Sequence, residues 1–449
     1  MKDLTSGNER SLILKFAIPM LIGNVFQQMY NIVDSLVVGN FIGKSALAAV
    51  GASFPIVFAL ISFVIGIATG GTIVISQFFG AKNYNKVKRA IDTLYIFVFI
   101  ASAIISIGGI IFSEHIFRLL QLPEEIIPEA KTYLNIFLGG MVVFFGFNGT
   151  SAILRGLGDS KTPLYFLIIA SILNIIFDLL FVLVFKWGVA GVAYATILSQ
   201  GIAFFSAILY LNKTHKLISF SLFRMVFDRD IFLKSLRIGL PSGFQHTFVA
   251  LGMMTLMAIV NTFGTDVIAA YSVGQRIDSF ASMFAMNFGL ALSTFVGQNI
   301  GANKTERVRT GLLATLKMAS AITITVTLIV LLGSSRLMGF FTSDPEVIDI
   351  GSGYLSVVAI FYIVFTFMFI IGGVMRGAGD TLVPMFITLV SLWVVRIPLA
   401  WYMSDIMGVT GIWWAIPIGW SIGLIFSFLY YLTGKWKKKT VVKYDTPIG

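Results

Sequence analysis

The chain contains no cysteine, so disulfides, thiolate metal centres and iron–sulfur clusters are excluded. It has only three histidines, His115, His215 and His246, and they lie far apart. Charge is scarce as well: 12% of the 449 residues are charged and 57% are hydrophobic, which excludes an ordinary soluble domain. No HExxH or GxxxxGK[ST] occurs, so the common metalloprotease and phosphate-loop signatures are missing. Strict apolar–polar alternation over about ten residues, the mark of a membrane β-barrel, is also absent.

What is present is a series of long apolar runs. A spanning helix needs about 20 mostly apolar residues. Twelve stretches qualify, near 12–39, 46–78, 90–112, 131–153, 163–185, 190–211, 237–263, 267–300, 310–333, 352–375, 383–403 and 410–433. Backbone polar groups inside such runs can be satisfied only by helices, so the expected fold is an all-α integral membrane protein. The net charge of +11 follows from topology and gives no reason to expect nucleic acid. With the amino terminus inside, 25 of the 32 Lys and Arg residues fall in cytoplasmic segments or adjoining helix ends. This positive-inside bias places both termini in the cytoplasm and the protein in the cytoplasmic membrane. The acidic stretches 122–130 and 342–349 then face outward.

The most informative stretch runs from Leu173 to Leu198. Asp178 lies inside ILNIIFDLLFVLVF, where a carboxylate costs roughly 2.5–3.5 kcal/mol on insertion scales, so it is seldom there without a task. Asn174 precedes it by four residues and shares its helix face. Thr196 falls in the next run, which returns beside the first. A second intramembrane acid, Asp34, sits in the first run. Gln27, Asn31 and Asp34 belong to a polar stripe at three- and four-residue steps. Such a stripe faces a cavity or supplies interhelical hydrogen bonds. Two carboxylates, an amide and a hydroxyl form an oxygen set suited to a hard cation, not a soft transition metal. Two carboxylates in a low-dielectric site cannot both stay charged without a proton or cation between them. Asp34, Asn174, Asp178 and Thr196 are therefore the expected site for H+ or Na+, and no cofactor is expected.

The chain also repeats itself. RGLGDSKTP (155–163) answers to RGAGDTLVP (376–384), and SQFFGAKNYNKVKRA (76–90) to GQNIGANKTERVRTG (297–311), with Gln77 and Gln298 in step. Six spans per unit give both halves one orientation, related by a pseudo-twofold axis along the membrane normal. The expected organisation is an N-lobe over 1–211, a cytoplasmic linker over 212–236, a C-lobe over 237–434 and a basic cytoplasmic tail over 435–449. Asp34 answers to about Leu256 and Asp178 to about Leu399, so the acids appear in one half only. The second half offers soft surface instead, with Met253, Met257, Phe280, Met283, Phe284 and Met286 as substrate-cavity candidates. Ordinary helix packing is the competing explanation for any one of them. Arg276, Asp278 and Arg396 are further intramembrane charges. Arg276 and Asp278 read as residues that pair with other groups as structure, or as a gate, and Arg396 as a partner of helix-end carbonyls or a repeller of cations. The Arg155/Asp159 and Arg376/Asp380 turns read as structural hinges, where Arg–Asp contacts can clamp helix ends.

Taken together, these features resemble the multidrug and toxic compound extrusion (MATE) family. The resemblance covers about 12–434 and rests on the two like halves, the paired RGLGD/RGAGD and Gln77/Gln298 turns, and Pro19 followed by Asp34. It implies a V-shaped two-lobe fold and alternating access, with export of mostly cationic organic compounds in exchange for Na+ or H+. It also implies a cation site at Asp34, Asn174, Asp178 and Thr196, and a kink at Pro19 that lets the first helix bend. A second branch of the family carries acids in spans 7 and 10, and here those spans have none. Small organic cations and membrane lipids are the expected partners, with no nucleic acid, and the protein is expected to act as a monomer. A lipid-linked saccharide flippase is the nearest alternative. An intramembrane aspartyl hydrolase is remote, because Asp159 and Asp380 lie in basic turns.

Overall fold

The computed structural model describes residues 2–119, 122–214, 220 and 224–442. The linker and tail expected over 212–236 and 435–449 include residues 215–219, 221–223 and 443–449, which lie outside the described residues, as does His215. The rest of the chain is helical, with no strand among the described residues. Ten helices are long and apolar enough to cross a membrane, and counting two bent pairs as one span each gives twelve.

In the first half these are α1 (Glu9–Val37), α2 (Lys44–Gly80), α3 (Tyr84–Leu119), the pair α4 (Ile127–Gly139) and α5 (Met141–Gly156), α6 (Lys161–Leu179) and α7 (Gly188–Thr214). The second half has α8 (Arg229–Asn261), α9 (Thr265–Gly301), α10 (Thr305–Gly339), the pair α11 (Pro345–Ala359) and α12 (Tyr362–Ala378), a span made of α13 (Leu382–Leu389) and α14 (Ile397–Met407), and α15 (Val409–Leu432). Wide π turns follow α1 at Val38–Ile42, follow α6 at Leu180–Val184, and join α13 to α14 at Val390–Arg396. Such turns shift the register of side chains along a helix and are frequent at functional sites.

The two bent pairs turn by 50° and 49° at matching places in the repeat. Their causes differ. The first falls at the Gly139–Gly140 pair, where a Cβ on Gly140 would come within 2.3 Å of Ile197. The second has no glycine at the break, but the Thr327 hydroxyl donates to the Ala359 carbonyl at 3.1 Å, taking up an acceptor near the break.

The repeat is written into the backbone as well as the sequence. Left-handed residues recur in register at Gly43 and Gly264, Lys82 and Asn303, and Gly158 and Gly379. The two RGxGD turns are helix stops of one design. Asp159 N donates to Leu154 O at 2.8 Å and Asp380 N to Met375 O at 2.9 Å, each across a glycine of positive φ.

By contacts the chain forms two compact units. Ile18–Gly243 make up most of one, and Asp3–Ala17 together with the chain from Phe244 make up the other. The division falls within α1 and within α8, next to Pro19 and Pro241. Proline removes one N–H from the helix ladder, so a helix can change partners there at little further loss. The start of α1 is tied into the second unit by Leu4 N to Gln298 Oε1 at 2.9 Å, Lys304 Nζ to Thr5 O at 2.9 Å and Arg307 Nη1 to Glu9 Oε1 at 2.9 Å. The start of α8 is tied into the first unit by Asp228 N to Thr93 Oγ1 at 3.0 Å and Arg89 Nη1 to Asp228 Oδ2 at 3.4 Å. The Ile231 backbone N–H, with Arg89 beside it, holds the Asp228 carboxyl below the usual range.

Candidate ion and ligand sites

Asp34, Asn174, Asp178 and Thr196 come together in the first unit. Asn174 and Asp178 lie one turn apart on α6, just before its π turn, and are 2% and 0% exposed. Beyond them the chain reverses through Trp187 and Gly188, the latter at φ +57°. Phe181 stacks on Trp187 with ring centroids 5.0 Å apart, and a Cβ on Gly191 would lie 3.0 Å from the Phe181 Cβ. Gly191 therefore lets α7 press against α6 and brings Thr196 alongside the acids. The α1 helix contributes Asp34, whose carboxyl meets that of Asp178.

Two tyrosines complete the cluster. The Tyr30 hydroxyl reaches Thr196 and faces both acids, and Tyr133 of α4 lies beside both acids and Tyr30. An apolar cluster that includes Tyr133, Val37, Val182 and Val192 adjoins the site. Each of the three valines lies about one turn from Asp34, Asp178 or Thr196. Within this site, several buried polar atoms lack a hydrogen-bond partner: Asp34 Oδ1, both side-chain polar atoms of Asn174, and both Asp178 oxygens. Gln200, one turn beyond Thr196, has an orphaned Oε1 as well. Buried polar groups are normally satisfied, and an orphaned set of acceptors is suited to a cation or a shared proton. Among the described residues no three His, Cys, Asp or Glu side chains gather as a metal centre.

The second unit holds a different site. A cavity of about 310 Å³ is lined mainly by apolar and aromatic side chains, with Asp278 and Arg396 as its charges. Asp278 accepts a hydrogen bond from Tyr354 on one oxygen and from Tyr362 on the other. Tyr354 is itself locked edge-on against Trp413, with centroids 4.9 Å apart, and Trp413 stacks on Tyr271 at 5.6 Å. Arg396 ends the π turn between α13 and α14, and its buried Nε has no partner.

The remaining expected residues are distributed as follows. Met253 and Met286 line the C-lobe cavity, whereas Met257 packs against the core of that unit. Phe280, Met283 and Phe284 are not among the lining residues, and Phe280 is exposed. Gln27 and Asn31 are exposed on α1. Arg276 is exposed on α9 while Asp278 faces the cavity, because two residues along a helix point to nearly opposite sides. The anticipated Arg–Asp clamp in the turns takes another form. Asp159 accepts from the backbone N–H groups of Lys161 and Thr162 at 3.0 and 3.1 Å and so caps α6. Arg376 instead lies over the Phe369 ring and reaches its carbonyl at 3.3 Å, and Tyr430 donates to Asp380 at 2.5 Å. Tyr30 and Tyr133 escaped the sequence reading. Tyr30 stands one turn before Asp34 on the polar stripe, which is a usable signal; for Tyr133 no local signal exists.

A helical chain with up to twelve spans defines a multi-pass membrane protein. The MatE family model matches residues 19–180 and 241–402, one copy in each half, and the chain belongs to that family of transporters. A protein named probable multidrug resistance protein YpnP, from Bacillus subtilis (strain 168), is 36% identical over 439 residues, covering 97% of each chain. A second relative, named probable multidrug resistance protein NorM, from Thermotoga maritima, is 28% identical over 96% of this chain and 94% of its own. A solved multidrug resistance MATE family transporter in an outward-facing conformation aligns with a TM-score of 0.91 at 25% identity, covering 98% of this chain and 99% of that one.

Proposed function

We propose that the protein is a cytoplasmic-membrane antiporter that exports organic, mostly cationic compounds in exchange for Na+ or H+. The observation that carries this reading is the cluster of partnerless oxygens on Asp34, Asn174 and Asp178, with Tyr30 and Thr196 beside them. A proton shared by the two carboxyls, or a Na+ ion held by both with the Asn174 carbonyl and the Thr196 hydroxyl, neutralises a charge that the apolar surroundings do not tolerate. Asp34 is the only member of the oxygen set on α1, and Pro19 weakens the same helix. Loading the site therefore changes the forces on a helix that is already able to bend. The bend displaces the exported compound and permits the return step.

The energetics suffice. One elementary charge entering down about 100 mV supplies about 2.3 kcal/mol, enough for about a 50-fold gradient of a neutral exchanged compound. A monovalent cation exchanged for one ion gains nothing from voltage and needs a chemical gradient or a second ion. Both termini lie in the cytoplasm in this reading, and the protein acts as a monomer.

The test is efflux of a fluorescent cationic drug from proteoliposomes, with Na+ and pH gradients imposed separately and Asp34→Asn measured alongside. Drive by one gradient, lost in the variant, identifies the ion. Equal gradient-driven efflux by correctly inserted wild type and Asp34→Asn protein removes the site from the mechanism. No drive by either gradient rules out the antiporter reading.

A further inference from the structure

The C-lobe cavity is separate from the cation site and opposite in character. Its acid is already satisfied. Each Asp278 oxygen is held by its own tyrosine, and the Tyr271–Trp413–Tyr354 packing fixes one of those donors in place. Asp278 therefore does not turn to Arg396, and among the described residues no carboxylate lies within ion-pair distance of that arginine. Arg396 is left without an ion-paired carboxylate on the wall of a chamber whose lining includes Met, Phe, Tyr and Trp; the Tyr271 hydroxyl reaches it and Asp278 shares the chamber, while its buried Nε is unpartnered. A guanidinium out of water with no paired carboxylate is unfavourable, and its planar fork matches a carboxylate or phosphate with two parallel hydrogen bonds. Its positive field disfavours organic cations.

We infer that this cavity is a binding site for an anionic group, carboxylate or phosphate, carried on a compact apolar or aromatic body, with Arg396 as the anchor. The anion takes the Arg396 fork. The body lies among Met253, Met286, Phe365 and Trp420, in a volume at the lower end of the range for small-molecule sites. Gln275, whose amide gives one N–H to the Tyr271 hydroxyl, lines the cavity with a second. The inference rests on the second unit alone and stands or falls independently of ion coupling at Asp34 and Asp178.

The test is equilibrium binding of radiolabelled 2-naphthoate to the full chain in phosphatidylcholine nanodiscs. Competition is measured with 2-naphthamide, which keeps the rings and removes the charge. The amide is expected to compete at least ten-fold more weakly than unlabelled naphthoate. Arg396→Gln is expected to weaken naphthoate binding at least ten-fold, and Arg396→Lys, which keeps charge and loses the fork, by less. Arg276→Gln removes the other intramembrane arginine, which is exposed, and is expected to bind as wild type. Equal competition by the amide, or wild-type binding by Arg396→Gln, overturns the inference. If Arg396→Gln does not fold, the acid–amide preference and Arg396→Lys decide it on the same terms. Short-chain dihexanoyl phosphatidate separates the sources. Displacement of naphthoate by it at lower concentration assigns the site to a lipid phosphate, and weaker displacement assigns it to a small organic acid. Binding of neither probe overturns the proposal.

Discussion

Both units bury a carboxylate among tyrosines, yet the two sites do opposite things with it. In the first unit Asp178 is 0% exposed, meets Asp34, and has no hydrogen-bond donor on either oxygen. In the second, Asp278 has a tyrosine hydroxyl on each oxygen and an arginine across the cavity. The first site has no positive charge, and none of its donors is bonded to an Asp178 oxygen; in the proposed function an incoming cation meets those oxygens. The second has donors enough for its acid and a cation to spare. The sites are not repeat partners either. The places answering to Asp34 and Asp178 are about Leu256, which is fully buried in the core of the second unit, and Leu399, which packs against it. The two halves keep the turns and helix stops in register, while the ionisable groups stand at different places in each. Shared backbone thus supports two kinds of chemistry, because the chemistry depends on a few side chains and the scaffold on turns and packing.

The comparison breaks most sharply at the acids. Asp178→Asn is expected to abolish ion-driven efflux in proteoliposomes, and Asp34→Asn/Asp178→Asn to lose no more than either single change, since the two carboxyls act on one ion. Additive partial losses would separate them. Next in size are the Asp278 donors. Tyr354→Phe and Tyr362→Phe each remove a hydrogen bond to a buried carboxylate and are expected to lower unfolding stability by about 1.5–3 kcal/mol, read in micelles by denaturation. The double variant frees Asp278 to turn to Arg396 and is expected to weaken naphthoate binding, which unchanged binding would refute. A smaller effect belongs to Tyr30→Phe, which removes one neutral hydroxyl from the cation site. Half-saturation for the driving ion is expected to rise about five-fold, corresponding to about 1 kcal/mol, in the same efflux assay. Smallest is Asp228→Ala, which takes a cap from α8 and is expected to cost about 1 kcal/mol or less in thermal unfolding. Because the native Asp228 carboxyl titrates below its unfolded range near ~3.9, this contribution is present above that range. It is lost as pH falls through the lower native value, so the gap between wild type and variant should close in acid.

Much of the cation site could be read from the chain itself. A carboxylate in an apolar run is conspicuous, and a one-turn spacing puts Asn174 and Asp178 on one face whatever surrounds the helix. Thr196 followed because α7 must return beside α6. Tyr133 could not be read, since an aromatic in an apolar helix has no period or charge to distinguish it, and only the packing of α4 against α7 brings it to the acids. Asp278 was visible as a residue that pairs with other groups, but its partners, Tyr354 and Tyr362, were not, because they lie on other helices. The soft residues of the second half divided in the same way: Met253 and Met286 reached the cavity and Met257 went into the core.

The sequence by itself determined the spans, their helical state, the two-fold repeat and the turn positions. Each follows from local physics: apolar length, the need to satisfy backbone groups inside the chain, and glycines where φ must be positive. Tertiary structure alone decided which tyrosines meet which acids, that Arg396 lines a cavity without an ion-paired carboxylate, and that the starts of α1 and α8 belong to opposite units. Those outcomes depend on how far each helix is rotated and where it bends. Rotation and bending are set by contacts between residues far apart in the chain, at Gly191 against Phe181 or Thr327 against Ala359, and no local pattern encodes them.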